Sequence, residues 1–353
     1  MQNQIEAHKR FWEGDGPSLI LIPAKETPRH NADNYMRRFY EPQLMWEWEM
    51  QRAQAARDWP TDGIPTVRPN LGVIFIPSMA GLSYQIHPDQ MPWPGESLDR
   101  EAIRAALGVD ITGTELMKLA ETFYTIHRQH GNQSIVAYHP DTQGVFDIAH
   151  LLYGDKLFYE LADEHESAWI EELLDICLRL YVNASQYLKT LLGEDAFSMI
   201  HGHATAQGVY FAHAGVRMSE DTTTLISPAL IERFILPVIE NAAEPFGGTF
   251  IHYCGYHEAL FEKLCYLGCV KAIDLGNPEM YNLHWLLERC ADTGTVLCSR
   301  VATESDEDWE AYVRRVAGCV SATGARCILR PLVFPETRAE CADMLDLWHD
   351  LTS

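Results

Sequence analysis

The stretch Phe250-Ile-His252-Tyr-Cys254-Gly255-Tyr-His257 sets an imidazole and a thiol two residues apart. On a strand, residues two apart leave the same face, about 6–7 Å apart at the backbone. Gly255 lets such a strand break immediately afterwards. An imidazole beside a thiol at a strand end suits a soft divalent cation, zinc above all. The competing reading is packing, with His252 a satisfied core histidine and Cys254 a small hydrophobe. Two side chains do not hold a zinc ion, so a third ligand must come from elsewhere. Cys298, in Thr295-Val-Leu-Cys298-Ser-Arg, closes a predicted strand near the same edge and is the candidate. Cys327 begins its strand and so falls at the opposite end. The remaining cysteines lie in or beside helices.

Three further groups qualify as substrate-facing. Asp274 ends the predicted strand that follows His252, where a carboxylate orients a ligand histidine, binds a substrate cation or caps the next loop. His201 and His203, in Met-Ile-His201-Gly-His203, share one strand face and either contact substrate or serve structure. Asp274 and His201 are therefore the candidate catalytic groups, and His252, Cys254 and Cys298 the candidate metal ligands. Ser219-Glu220-Asp221 and Asp306-Glu307-Asp308 read as solvated loop charges.

The elements that must position these residues alternate. Helical periodicity marks residues 111–129, 146–153, 157–192, 257–267, 281–291, 307–323 and 337–351. Ser227-Pro228 opens another helix, reaching residue 240, as N-cap and first helical position. Short apolar runs predict strands at 134–138, 197–201, 248–253, 270–275, 295–298 and 327–330. Residues 58–99 carry many of the prolines and read as loops around one buried strand near 72–76. Apolar strands alternating with helices signal a parallel sheet with helices on its outer face. No Gly-x-Gly-x-x-Gly turn follows the first strand, which favours a closed (β/α)8 barrel over an open dinucleotide-binding sheet. The reading is one α/β barrel over residues 61–353, with residues 1–60 a helical extension packed on it. Barrel active sites lie at the C-terminal ends of the strands, where His252 and Cys254 fall.

Composition narrows the function. The 353 residues contain 27 Lys and Arg against 50 Asp and Glu, a formal net charge of -23. That field repels a phosphate backbone and anionic membranes, so neither is expected as a partner. The apolar runs are far short of the roughly 20 residues that span a bilayer. The N-terminal residues lack the apolar core of a secretory signal. Nine scattered cysteines, an odd number, look like reduced thiols of a cytoplasmic protein.

Several segments together resemble the uroporphyrinogen decarboxylase superfamily, on the side of its corrinoid-dependent methyltransferases. Residues 134–154 are similar to its strand, turn and Gly-ended helix, and residues 225–237 to its Ser-Pro-opened helix. His252-Tyr-Cys254-Gly255 matches the metal-binding His-x-Cys-Gly of the methyltransferase branch. Asp274 matches a family aspartate, and Pro331 and Pro335 fit the last strand and turn. The resemblance runs from about residue 60 to the C-terminus. It implies a (β/α)8 barrel in which zinc binds a thiol acceptor and lowers its pKa. The thiolate then takes a methyl group from a corrinoid (methylcobalamin) carried by a small partner protein. The branch's third ligand, a cysteine after the last strand, aligns with Val333, which is why Cys298 is put forward instead. The decarboxylases' N-terminal Arg-Gln-Ala-Gly-Arg segment has no equivalent here, so porphyrin decarboxylation is not expected. The expected function is zinc-dependent methyl transfer between a corrinoid protein and a small acceptor or donor. Two other readings stay open: a metal-independent lyase for a smaller acid, and a non-catalytic corrinoid or small-ligand binder.

Overall fold

Residues 270–275 read Val-Lys-Ala-Ile-Asp-Leu and residues 327–330 Cys-Ile-Leu-Arg, short runs without a continuous polar face. A parallel strand covered on both sides requires such runs. The computed structural model describes residues 2–24, 27–29, 34–88, 90–131 and 134–353. Its strands are β1 (Leu19–Ile20), β2 (Ile64–Val67), β3 (Tyr84–Gln85), β4 (Trp93–Pro94), β5 (Val136–Ala137) and β6 (Met199–His201). They continue with β7 (Gln207–Phe211), β8 (Val216–Ser219), β9 (Thr249–Tyr253), β10 (Val270–Leu275), β11 (Val296–Arg300) and β12 (Cys327–Arg330).

Six strands form one all-parallel sheet in the order β1-β12-β11-β10-β9-β8. The helices Glu258–Tyr266, Leu283–Thr293 and Trp309–Thr323 join consecutive members, and Arg338–Thr352 follows the last. A second sheet, β5-β2-β7-β6, pairs β2 with β5 in parallel and with β7 antiparallel. Short links run from it to both edges of the first sheet. Gln143, just past β5, bridges Ser219 of β8 in the parallel sense. Asp62, just before β2, donates its N–H to Ile20 O at 3.1 Å and accepts from Ile20 N at 2.7 Å. The arrangement is barrel-like α/β.

Alternation along the strands sorts side chains into two cores. On β9, Phe250 points inward, to a cluster with Phe11, Phe211, Ala272, Val296, Cys298 and Ile328. Its neighbours Ile251 and Tyr253 point outward, into the larger core under the helices. The N-terminal helix Gln2–Glu13 inserts Phe11 into the inner cluster, while Arg326, ahead of β12, donates to Phe11 O and Trp12 O. This helix therefore covers the amino end of the sheet and leaves the carboxyl end for chemistry. Among the described residues, no helix is long and apolar enough to cross a membrane.

Several sequence expectations need correction. Residues 72–76 are a turn leading into the helix Phe75–Met79, not a strand. Pro77 sits in that helix's first turn, where its missing N–H leaves no bond unmade. The strand at 197–201 exists as β6, but it belongs to an antiparallel hairpin with β7. The parallel strand of this region is β8, Val-Arg-Met-Ser, disguised by its inward arginine. The helix expected over 157–192 breaks into Lys156–Leu161 and Ser167–Leu192, where Asp163 caps a short turn by accepting from His165 N. The first 60 residues hold helices and also supply β1, which pairs with β12.

Candidate metal centre

The centre is built by register. β9 lies between β8 and β10, and the ladder aligns Ser219, His252 and Asp274 in one row. Asp274 Oδ2 lies 2.7 Å from His252 Nδ1. A carboxylate can only accept, so Nδ1 carries a proton, and in the neutral ring it is Nε2 that holds the lone pair. Burial works to raise the pKa of Asp274, but the charge of Arg330 and the His252 hydrogen bond outweigh it, and the carboxyl is held below its ordinary range. The lone pair of Nε2 faces Cys254 Sγ at 3.4 Å.

Two glycines make room for the thiol. Gly255 takes φ +97°, a conformation that L side chains rarely adopt, and turns the chain off the strand. Gly276 passes so close that a Cβ there would stand 2.4 Å from Cys254 Sγ. Cys254 N–H donates to Asp221 Oδ1 at 2.6 Å, and that oxygen lies 3.8 Å from His252 Nε2. Asp221, His252 and Cys254 thus offer oxygen, nitrogen and sulfur atoms all within 4.8 Å of one another. Burial and the neighbouring Asp221 carboxylate push the Cys254 thiol up to about 12. Unaided, the thiolate is suppressed, first by burial and then by a carboxylate of the kind that also binds cations. A second group, His203, His252 and Asp274, meets the same distance limit.

His203 comes from the loop between β6 and β7, where it and Ala204 hold φ of 40° and 64°. Such left-handed backbone costs non-glycine residues of order 1–3 kcal/mol each. The loop is held by His203 N–H donating to His201 Nδ1 at 3.0 Å and by Thr205 Oγ1 donating to Gly202 O at 2.7 Å. His203 Nε2 is 3.2 Å from Asp274 Oδ2, and its ring lies 4.3 Å from that of His252. Burial, then the charge of Arg217, keeps His203 well below the usual histidine range, and the same two causes act on His201. Beside them opens a cavity of about 530 Å³, bounded by Leu21, Arg52, His203, Asp274, Arg300 and Arg330.

The sequence-derived site is partly assembled. His252, Cys254 and Asp274 lie together. Cys298 does not join them: it is fully buried in the inner apolar cluster. Strand β11 runs on to Arg300, so Arg300 takes the inward position at the cavity and Cys298 sits one inward position deeper. His201 is buried behind the loop, its ring 4.9 Å from Tyr138 and its Nε2 without a partner. The reading of Ser219-Glu220-Asp221 as solvated charge is wrong. Ser219 and Glu220 are buried, and Asp221 supplies the third potential ligand. The signal for it was periodic: Arg217, Ser219 and Asp221 repeat the spacing of two that His252 and Cys254 display.

No family model and no curated protein matches the sequence. Among solved structures, the chain is similar to a methyltransferase from Methanosarcina mazei, with TM-score 0.69 and 13% identity over 98% of each chain. At that identity the likeness shows a shared fold, extending over nearly the full length of both chains.

Proposed function

We propose that this chain is a zinc-dependent methyltransferase, moving a methyl group between a corrinoid carried by a small partner protein and a small acceptor or donor. We read its strands as a closed (β/α)8 barrel and the chain as a divergent relative of the uroporphyrinogen decarboxylase superfamily. One observation carries the reading: Asp274 fixes His252 so that Nε2 faces the Cys254 thiol, with Asp221 beside both.

The donor set fits zinc. Imidazole nitrogen, thiolate sulfur and carboxylate oxygen are its three usual protein ligands, and a three-ligand site leaves a position open for substrate. When bound, zinc supplies a Lewis acid that lowers the pKa of an incoming thiol, so that it reacts as thiolate near neutral pH. The remaining work falls to the chain. Asp274 holds the Nδ1 proton of His252 and keeps its ring in the ligand orientation. Gly276 clears the space for Cys254. The adjacent cavity admits the small reactant, and His203 lines both it and a smaller neighbouring chamber.

The test is direct. Protein purified without chelator is expected to hold about one zinc per chain, and Cys254→Ser to lose most of it. Methyl transfer from a methylcorrinoid protein to a thiol is expected to stop on chelation and return with zinc. Wild-type protein that neither holds nor takes up zinc would sink the proposal. The arginines around the cavity, Arg52, Arg300 and Arg330, favour a second reading, a metal-independent lyase for a small acid. That reading predicts activity surviving both chelation and Cys254→Ser.

A further inference from the structure

Behind the metal centre lies a smaller chamber of about 120 Å³, lined by Arg68, Asp141, Arg217, His203, Asp221 and His252. Its electrostatics are unfinished. Arg217 Nη1 donates to Asp141 Oδ1 at 2.6 Å, and Arg217 Nη2 donates to Ser219 Oγ at 2.7 Å. Arg68 is 1% exposed, and its nearest carboxylate oxygen, Asp141 Oδ2, stands 3.8 Å from Nη1, beyond hydrogen-bond reach. Arg68 Nε and Nη2 have no hydrogen-bond partner, and neither does Arg217 Nε.

A buried charge is normally paired, because an unsatisfied guanidinium has lost its hydration for nothing. The two orphaned donors of Arg68 are adjacent N–H groups along one edge of the guanidinium. They form a fork that matches the two oxygens of a carboxylate. The chamber has room for about four water-sized groups, at roughly 30 Å³ each. That suits a carboxylate with a short carbon stem and excludes a tetrapyrrole. His203 and Ala204, the left-handed pair, line both this chamber and the larger cavity.

We propose that the chamber is a carboxylate-binding subsite, in which the side-on fork of Arg68, aided by Arg217 Nε, grips the acid group of a short-chain substrate. His252 and Asp221 line the same chamber, so the substrate's other end lies at the metal centre. That last step rests on the metal reading; the carboxylate site itself does not. The reacting molecule is accordingly a small carboxylic acid rather than a neutral or cationic compound.

Propionate and its neutral isostere propionamide separate charge recognition from shape. Binding of each would be measured calorimetrically to zinc-loaded and chelated wild type, Arg68→Met and Arg68→Lys. Wild type is expected to bind propionate at least tenfold more tightly than propionamide, with or without zinc. Arg68→Met is expected to lose that preference while melting no lower than wild type, since the replaced group makes no internal hydrogen bond. Arg68→Lys, which keeps the charge without the fork, should fall between. Equal binding of the two probes by wild type overturns the proposal. So does full propionate affinity in Arg68→Met, and so does an Arg68→Met that fails to fold. Propionate binding kept in a protein that never takes up zinc would support this site while sinking the metal reading.

Discussion

At the scale of single residues, the proposed metal centre depends on an absence as much as on the groups offered as its ligands. Gly276 carries no Cβ where one would stand 2.4 Å from Cys254 Sγ. Gly276→Ala must push the thiol aside without touching any ligand chemically. Its zinc affinity is expected to fall about 10–100-fold, the range for disturbing a ligand's support. Gly268→Ala, whose added Cβ meets nothing within 4 Å, is the matched control. Equal zinc titrations for the two variants would show that Cys254 is not a ligand. Much of this scale was legible in the sequence, because the spacing of two in His-x-Cys and the strand-end Asp274 are local facts. Asp221 was not, because its partners come from another strand, and a Ser-Glu-Asp triplet looks solvated until the ladder sets it beside His252. The arginines were hidden for the same reason. Arg68, Arg217 and Arg330 lie far apart in sequence, and their gathering is a property of the sheet.

At the scale of elements, β9 through β12 and their helices follow from apolar runs and helix caps, such as Asp308 accepting from Ala311 N. β8 escaped notice because an inward-facing arginine broke its apolar pattern. Cys298 was misplaced because the expected strand stopped two residues early, and two residues is one full inward step. The C-terminal helix Arg338–Thr352 is tied to the β1–β2 link by His349 Nε2, 3.0 Å from Asp62 Oδ2. Burial works to lower the pKa of His349, but the hydrogen bond and charge of Asp62 outweigh it, and the net shift is upward. A raised histidine pKa contributes stability that is fully present below the unfolded value, near 6.5, and fades as pH rises through the folded value. His349→Gln should therefore be most destabilising at about pH 5–6 and progressively less so toward pH 8. Denaturant melts of both proteins across that range check it. A difference that grows with pH would reject the ion pair.

At the scale of the molecule, the N-terminal helix acts as a floor. Phe11 is fully buried in the inner cluster, and Trp12 donates to Tyr210 O at 2.6 Å. Phe11→Ala should cost about 3–5 kcal/mol in equilibrium unfolding, the usual range for emptying a buried phenylalanine site. A loss below about 1 kcal/mol would mean that the inner cluster does not need its floor. A blocked floor also shapes traffic. The floor leaves the carboxyl ends of the strands as the doorway to His252 and Cys254, so under the methyl-transfer reading the methyl-bearing partner and the small reactant would share it. An inert, bulky mimic lodged in that doorway should compete with both reactants in steady-state kinetics, and noncompetitive inhibition against either would reveal a second way in.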